Sequence, residues 1–238
     1  MAEVDICENL KKVNTRIQKA CAAAGRDPKE VTLIAVSKTK PLDDVVRAAE
    51  CGQLHFGENK AQELTAKLDE LDERGIQLDV QWHMIGSLQT NKIKYLAGRT
   101  QWLDSIPKKK GLKELEKRAS REEVPMNTMI QVNISGEGQK SGCDPDQLPA
   151  LLEYAQDLEY EKLRGLMGIA TLTDDTEQIR SEFRMLRELR DQYRDQYGGS
   201  VQLDELSMGM TSDLEIAIEE GATMVRVGTA IFGARDYG

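Results

Sequence analysis

Eight short apolar runs, each followed by a polar turn and then by residues at helical spacing, constrain the fold of this 238-residue chain more than any other feature. The first, VTLIAV at 31–36, is continuous, as suits a parallel strand covered on both faces. Pro41 with Asp43 and Asp44 then supplies a helix start, and that helix runs to about Cys51. Further strands are predicted near 54–56, 79–85, 101–104, 128–134, 163–169, 203–207 and 223–227, with a helix in every crossover. The run at 101–104 is the weakest. An amphipathic helix at about 3–24, with Ile6, Leu10, Val13, Ile17 and Cys21 at helical spacing, precedes them all. Parallel strands need crossovers, and no Pro/Gly/Ser-rich linker divides the repeats. The expected fold is therefore α/β, a (β/α)8 TIM-type barrel with an extra N-terminal helix, forming one domain over residues 1–238. An open doubly wound sheet is the alternative.

Composition narrows the partners. With 41 acidic against 32 basic residues the formal charge is −9, a field that repels polyanions and acidic membrane surfaces. Nucleic acid and membrane are not expected partners. Cys7, Cys21, Cys51 and Cys143 are widely spaced without a CxxC pair, and His55 and His83 are the two histidines, so neither a disulfide frame nor a metal site is expected. The opening MAEVDICENLKK lacks the basic start and apolar run of a signal peptide, and a cytoplasmic location is expected.

In such a barrel the chemistry sits at the C-terminal ends of the strands. Lys38 closes the first one. Thr32, Ile34, Val36 and Lys38 share a face, so Lys38 points inward if Ile34 and Val36 do. Lys40 has the same parity but sits beside Pro41 in the turn. A lysine attacks a carbonyl only when deprotonated, which a desolvated barrel mouth favours; a solvated loop lysine is the plain alternative. Near the C-terminus, Ser207 follows one strand and Gly228-Thr229 another, and both open helices. Loops at these two places commonly bind phosphate in TIM barrels, and Ser207, Thr211 and Thr229 could add hydroxyl donors while Gly228 admits close backbone approach. Arg226 alternates with Val225 and Val227 and so points inward, towards either a cofactor ring nitrogen or a carboxylate from another strand. Asn59 in HFGEN and His83 in WHMIGSLQTNK approach the same rim, although a lone histidine is more often a packed, hydrogen-bonded residue. The loop GEGQKSG at 136–142 lacks the spacing of a P-loop and reads as a mobile turn, and Lys108–Lys110 read as a solvated helix face.

The segments AVSKTKP (35–41), HFGEN (55–59), WHMIGSLQTNK (82–92), QVNIS (131–135), RGLMGIA (164–170), LSMGMTSD (206–213) and MVRVGTAIFGARDYG (224–238), in this order, resemble the pyridoxal-phosphate homeostasis protein family. These are single-domain relatives of the alanine racemase barrel. The resemblance implies that pyridoxal 5′-phosphate is held as a Schiff base on Lys38, that Arg226 faces the pyridine nitrogen, and that the region of Ser207, Thr211, Gly228 and Thr229 binds the phosphate. Thr211 stands where that family usually has serine, Met84 where phenylalanine is common, and Gly168-Ile169-Ala170 where Ala-Ile-Pro is frequent. The first keeps a hydroxyl; the others bear on local packing at the rim.

Racemisation needs a base on each face of the substrate carbanion, and the racemase relatives, by resemblance, use an additional C-terminal domain. This chain ends at Gly238, eleven residues after the last strand, and Tyr237 is the conceivable substitute base. No catalytic residue is therefore expected, and the function expected is cofactor retention in PLP homeostasis. A PLP-dependent racemase or lyase of low activity is the alternative, and a cofactor-free Schiff-base aldolase is a third class. Expected partners are PLP itself and apo PLP-dependent enzymes, with the chain a monomer or weak dimer.

Overall fold

A computed structural model describes residues 4–136 and 142–234. Its eight strands form one closed parallel barrel in chain order: β1 (Thr32–Val36), β2 (His55–Glu58), β3 (Gln81–Met84), β4 (Trp102–Ile106), β5 (Met126–Gln131), β6 (Glu161–Met167), β7 (Val201–Ser207) and β8 (Met224–Val227). Pairing of Ile34 with Arg226 helps close it between β1 and β8. The helices are α1 (Ile6–Ala23), α2 (Leu42–Glu50), α3 (Ala61–Glu73), α4 (Lys109–Glu122), α5 (Leu148–Ala155), α6 (Thr176–Tyr193), α7 (Leu214–Glu219) and α8 (Thr229–Phe232). The (β/α)8 expectation holds, N-terminal helix included. Asp5 caps α1 by accepting the Glu8 N–H at 2.9 Å, and Ile6, Leu10, Val13, Ile17 and Cys21 are buried as the helical spacing requires.

Strand alternation sorts the two layers. Ile34, Trp102, Met129, Met167 and Met224 pack together inside the barrel, while Leu33, Ala35, Val225 and Val227 face the helices in the larger outer core. Two local expectations change. The crossover from β3 to β4 is a short 3-10 segment, Thr90–Tyr95, because Ile85, Gly86 and Ser87 are taken up in a cavity wall. The weak fourth strand is real but irregular, its register slipping between Leu103 and Ile106.

The cysteine reading is corrected. Cys7 on α1 and Cys51 just past α2 form a disulfide, with Cα atoms 5.6 Å apart. They are 44 residues apart in sequence, and α1 packing on α2 makes them neighbours. Cys21 and Cys143 are buried thiols, and burial pushes Cys143 up to about 12. No helix among the described residues is long and apolar enough to cross a membrane.

Candidate functional site

At the C-terminal ends of the strands lies a cavity of about 490 Å³. It gathers Lys38, Asn59, Thr211, Arg226, Gly228 and Thr229, six of the eight residues singled out from the sequence. Gln131, Asn133, Met210 and Ile169 complete much of the wall. Gln131 ends β5, which stops three residues short of the predicted 134 and leaves Asn133 in a cavity-lining loop.

Lys38 sits in a turn closed by Lys40 N–H donating to the Ser37 carbonyl at 3.0 Å. Thr39 occupies the left-handed region at φ 64°, a conformation that costs a residue with a Cβ on the order of 1 kcal/mol. Lys40 also reaches the cavity, but its ammonium donates to the Ala234 carbonyl at 2.9 Å. Beneath the turn is a buried polar cluster. Ser37 Oγ donates to Glu58 Oε1 at 2.7 Å, and Lys67 of α3 donates to the same oxygen at 2.5 Å. Burial pushes the Glu58 carboxyl up against the pull of Lys67, and Glu58 Oε2 has no hydrogen-bond partner among the described residues. Gly86 completes this side: a Cβ there would lie 2.1 Å from the Asn59 carbonyl oxygen, so only glycine lets the ends of β2 and β3 meet.

Arg226, on β8 next to β1, forms part of the neighbouring wall. It is buried, and it donates to Ser207 Oγ at 2.6 Å and to the Gly168 carbonyl at 2.9 Å. Neither acceptor lines the cavity, so both hold the guanidinium from outside it. Of the two partners left open for Arg226, a strand carboxylate is not in contact; it makes no ion pair with any described residue. Burial pushes it down to about 10, against the pull of Asp104 and Asp213, which leaves it a cation at neutral pH.

Two residues fall elsewhere. Ser207 is fully buried and is a support for Arg226 rather than part of the cavity wall. His83 is likewise buried inside the barrel, below the mouth, because it pairs with Gly57 and Trp102 and the wall above it is Ile85–Ser87. Its Nδ1 lies 3.0 Å from Asp104 and its Nε2 2.9 Å from His55 Nδ1, and its ring stacks on Trp102. Burial, then the neighbouring His83, pushes His55 down to about 4. The bland reading of His83, a packed and satisfied histidine, fits this. Asp104, the charged residue within WLDSI, was the available signal for it.

The loop before α7 is braced from α1. Arg16 binds Glu215 through two bonds, at 2.8 and 2.9 Å, and donates to the Thr211 carbonyl at 2.9 Å. Asn9 donates to the Ile231 carbonyl of α8 at 3.0 Å. At Gly168, one of the departures from the resembling family, a Cβ would meet Ile134 Cδ1 at 2.7 Å, so the tip of that side chain would have to shift. Tyr237 and positions 137–141 of the GEGQKSG loop lie outside the described residues.

The profile of the family described as alanine racemase, N-terminal domain, matches residues 9–236. A pyridoxal phosphate homeostasis protein of Pseudomonas aeruginosa is 46% identical over 233 residues, 98% of this chain and 97% of that one. One from Aquifex aeolicus is 43% identical over 234 residues, covering 98% and 100%. Among solved structures, PipY of Synechococcus elongatus with PLP bound superposes with a TM-score of 0.83 at 33% identity, over 96% of this chain and all of that one.

Proposed function

This chain belongs to the pyridoxal phosphate homeostasis protein family, and from that premise we propose that it binds pyridoxal 5′-phosphate in the Lys38 cavity and keeps it available without turning over substrate. The observation that carries the reading is one cavity holding Lys38, a buried cationic Arg226 and the Thr211, Gly228 and Thr229 loops. That donor set fits the cofactor: an amine for an aldehyde, a permanent donor for a ring nitrogen, and hydroxyl and backbone donors for a dianion. When bound, the cofactor supplies an aldehyde that condenses reversibly with an amine.

Lys38 is the proposed covalent anchor. Arg226, always a donor and held by Ser207 and Gly168, would keep a pyridine nitrogen facing it unprotonated, which weakens the ring as an electron sink. Asn59 adds a polar contact on the β2 side. The ionisable side chains lining the cavity among the described residues are Lys38, Lys40 and Arg226, which supports retention over two-sided proton transfer. We place this role in the cytoplasm, in a single-domain monomer or weak dimer, with apo PLP-dependent enzymes as recipients.

Borohydride reduction of the PLP-loaded protein is expected to fix a pyridoxyl group on the peptide containing Lys38, read by fragment-ion mass spectrometry. A label on Lys40 or Lys92 would refute that assignment. The unreduced protein, incubated with L- and D-amino acids in deuterated water, is expected to exchange Cα hydrogens slowly or not at all while passing PLP to an added apo-enzyme. Sustained exchange with inversion at many turnovers per second would establish the racemase alternative instead.

A further inference from the structure

The two peptide groups flanking Lys38 are both held by one helix. On the N-terminal side, the Ser37 carbonyl accepts from Lys67 Nζ at 2.8 Å as well as from Lys40 N–H. On the C-terminal side, Thr39 N–H donates to Glu63 Oε2 at 3.3 Å. Glu63 and Lys67 are four residues apart on α3, hence on one face, and that face meets the turn. Each is secured in its place: Lys60 holds Glu63 Oε1 at 3.0 Å, and Glu58 holds Lys67. Glu63 and Lys67 would otherwise be ordinary solvated helix residues, yet Lys67 is only 7% exposed. A buried ammonium directed at a backbone carbonyl and a carboxylate directed at a backbone N–H hold the turn at two points. They do so where Thr39 lies at φ 64° and the turn needs support.

From this we infer that α3 is a clamp on the Lys38 turn, with Glu63 and Lys67 as positioning residues that aim the Lys38 amine at an aldehyde. The inference rests on the proposed PLP reading and adds residues to it. In the step served, Lys38 Nζ forms a bond to the aldehyde carbon and one water leaves. A free turn would sample orientations that do not reach that carbon, so the clamp contributes to covalent capture and not to the rest of the binding.

The test compares the full-length wild type with Glu63→Ala, Glu63→Gln and Lys67→Met. Amide hydrogen exchange at Thr39 and Lys40 is measured without ligand. Affinities are measured for pyridoxal 5′-phosphate and for pyridoxine 5′-phosphate, whose alcohol cannot condense. Loss of one hydrogen bond to a charged group predicts about tenfold faster exchange at Thr39 in Glu63→Ala, and about tenfold weaker PLP binding. Pyridoxine 5′-phosphate affinity should stay within about twofold, and Glu63→Gln, which keeps an acceptor oxygen, should recover most of the loss. Lys67→Met leaves the Lys40 N–H bonded to the Ser37 carbonyl and should raise exchange at Lys40 only modestly, by loosening the turn; if it fails to fold because Glu58 is stranded, Glu63, with a side chain 28% exposed, still decides the matter. Unchanged exchange in Glu63→Ala, or equal losses for the two ligands, would overturn the clamp. Equal wild-type affinity for the two ligands would instead overturn the covalent reading beneath it, and the clamp's purpose with it.

Discussion

Pyridoxal, which lacks the phosphate, is expected to bind roughly a hundredfold or more weakly than pyridoxal 5′-phosphate. A hundredfold corresponds to about 2.7 kcal/mol. Two or three hydrogen bonds to a charged group, at roughly 1.5–3 kcal/mol each, exceed that even after dehydration of a dianion takes back part of the gain. The proposed donors are Thr211, Gly228, Thr229 and the backbone around them. Their loops are braced before any ligand arrives: Arg16 holds the Thr211 carbonyl at 2.9 Å, and Asp213 accepts the Met210 N–H at 2.5 Å. Gly228 lies so close to β1 that a Cβ would be 3.1 Å from the Val36 carbonyl oxygen. Such preorganisation lowers the ordering cost of binding. Titrations with both compounds check the expectation, and equal affinities would remove the phosphate site. Ser207→Ala refines the test. Because Ser207 reaches the ligand only through Arg226, that variant should weaken both compounds by the same factor, whereas Thr229→Ala should act on the phosphorylated one alone.

Which parts of this were legible in the chain follows from where each signal originates. Parallel barrel strands are covered on both faces, so TLIAV and MVRV show as largely apolar runs, and their alternation alone places Ile34 and Arg226 inward. Lys38, Asn59, Thr211, Gly228 and Thr229 reach the cavity because each lies just past the end of a strand, a position set by local order. Depth within the barrel is different. His83 and Ser207 have the correct inward parity but lie one level below the mouth, which depends on strand stagger and on where each strand stops. The β3 to β4 crossover carries a short 3-10 helix instead of an α-helix, because the residues spent on the cavity wall cannot be counted from spacing. Glu63 and Lys67 left no signal at all. On α3 they look like any pair of helical charges four residues apart, and only the packing of that helix against the Lys38 turn distinguishes them. Cys7 and Cys51 met the same limit, since their proximity is a property of two packed helices.

Between pH 5 and pH 8, the stability advantage of a Glu161→Gln variant over the wild type is expected to grow by roughly 3–4 kcal/mol. Glu161 opens β6, at the end of the barrel opposite the cavity, and is fully buried. Thr128 donates to its Oε1, while Oε2 has no hydrogen-bond partner among the described residues. Burial pushes this carboxyl up to about 8, opposed by the Thr128 bond and reinforced by Glu116. In the unfolded chain the same group ionises near its ordinary value of 4.5. Between these two values the folded protein holds a proton that the unfolded chain has released. Stability from this group is therefore fully present below about 4.5, falls by about 1.4 kcal/mol per pH unit above it, and is lost once the pH has passed about 8. Glutamine carries no such proton and has no slope of its own. Every other titrating group is common to both proteins, so the difference between their denaturant-unfolding free energies across pH isolates Glu161. A difference that stays constant from pH 5 to pH 8 would mean that Glu161 ionises normally in the folded barrel, and that Oε2 finds a partner or water which the geometry does not provide. The site at the other end supplies the control, since PLP affinity should be the same in both proteins wherever both are folded.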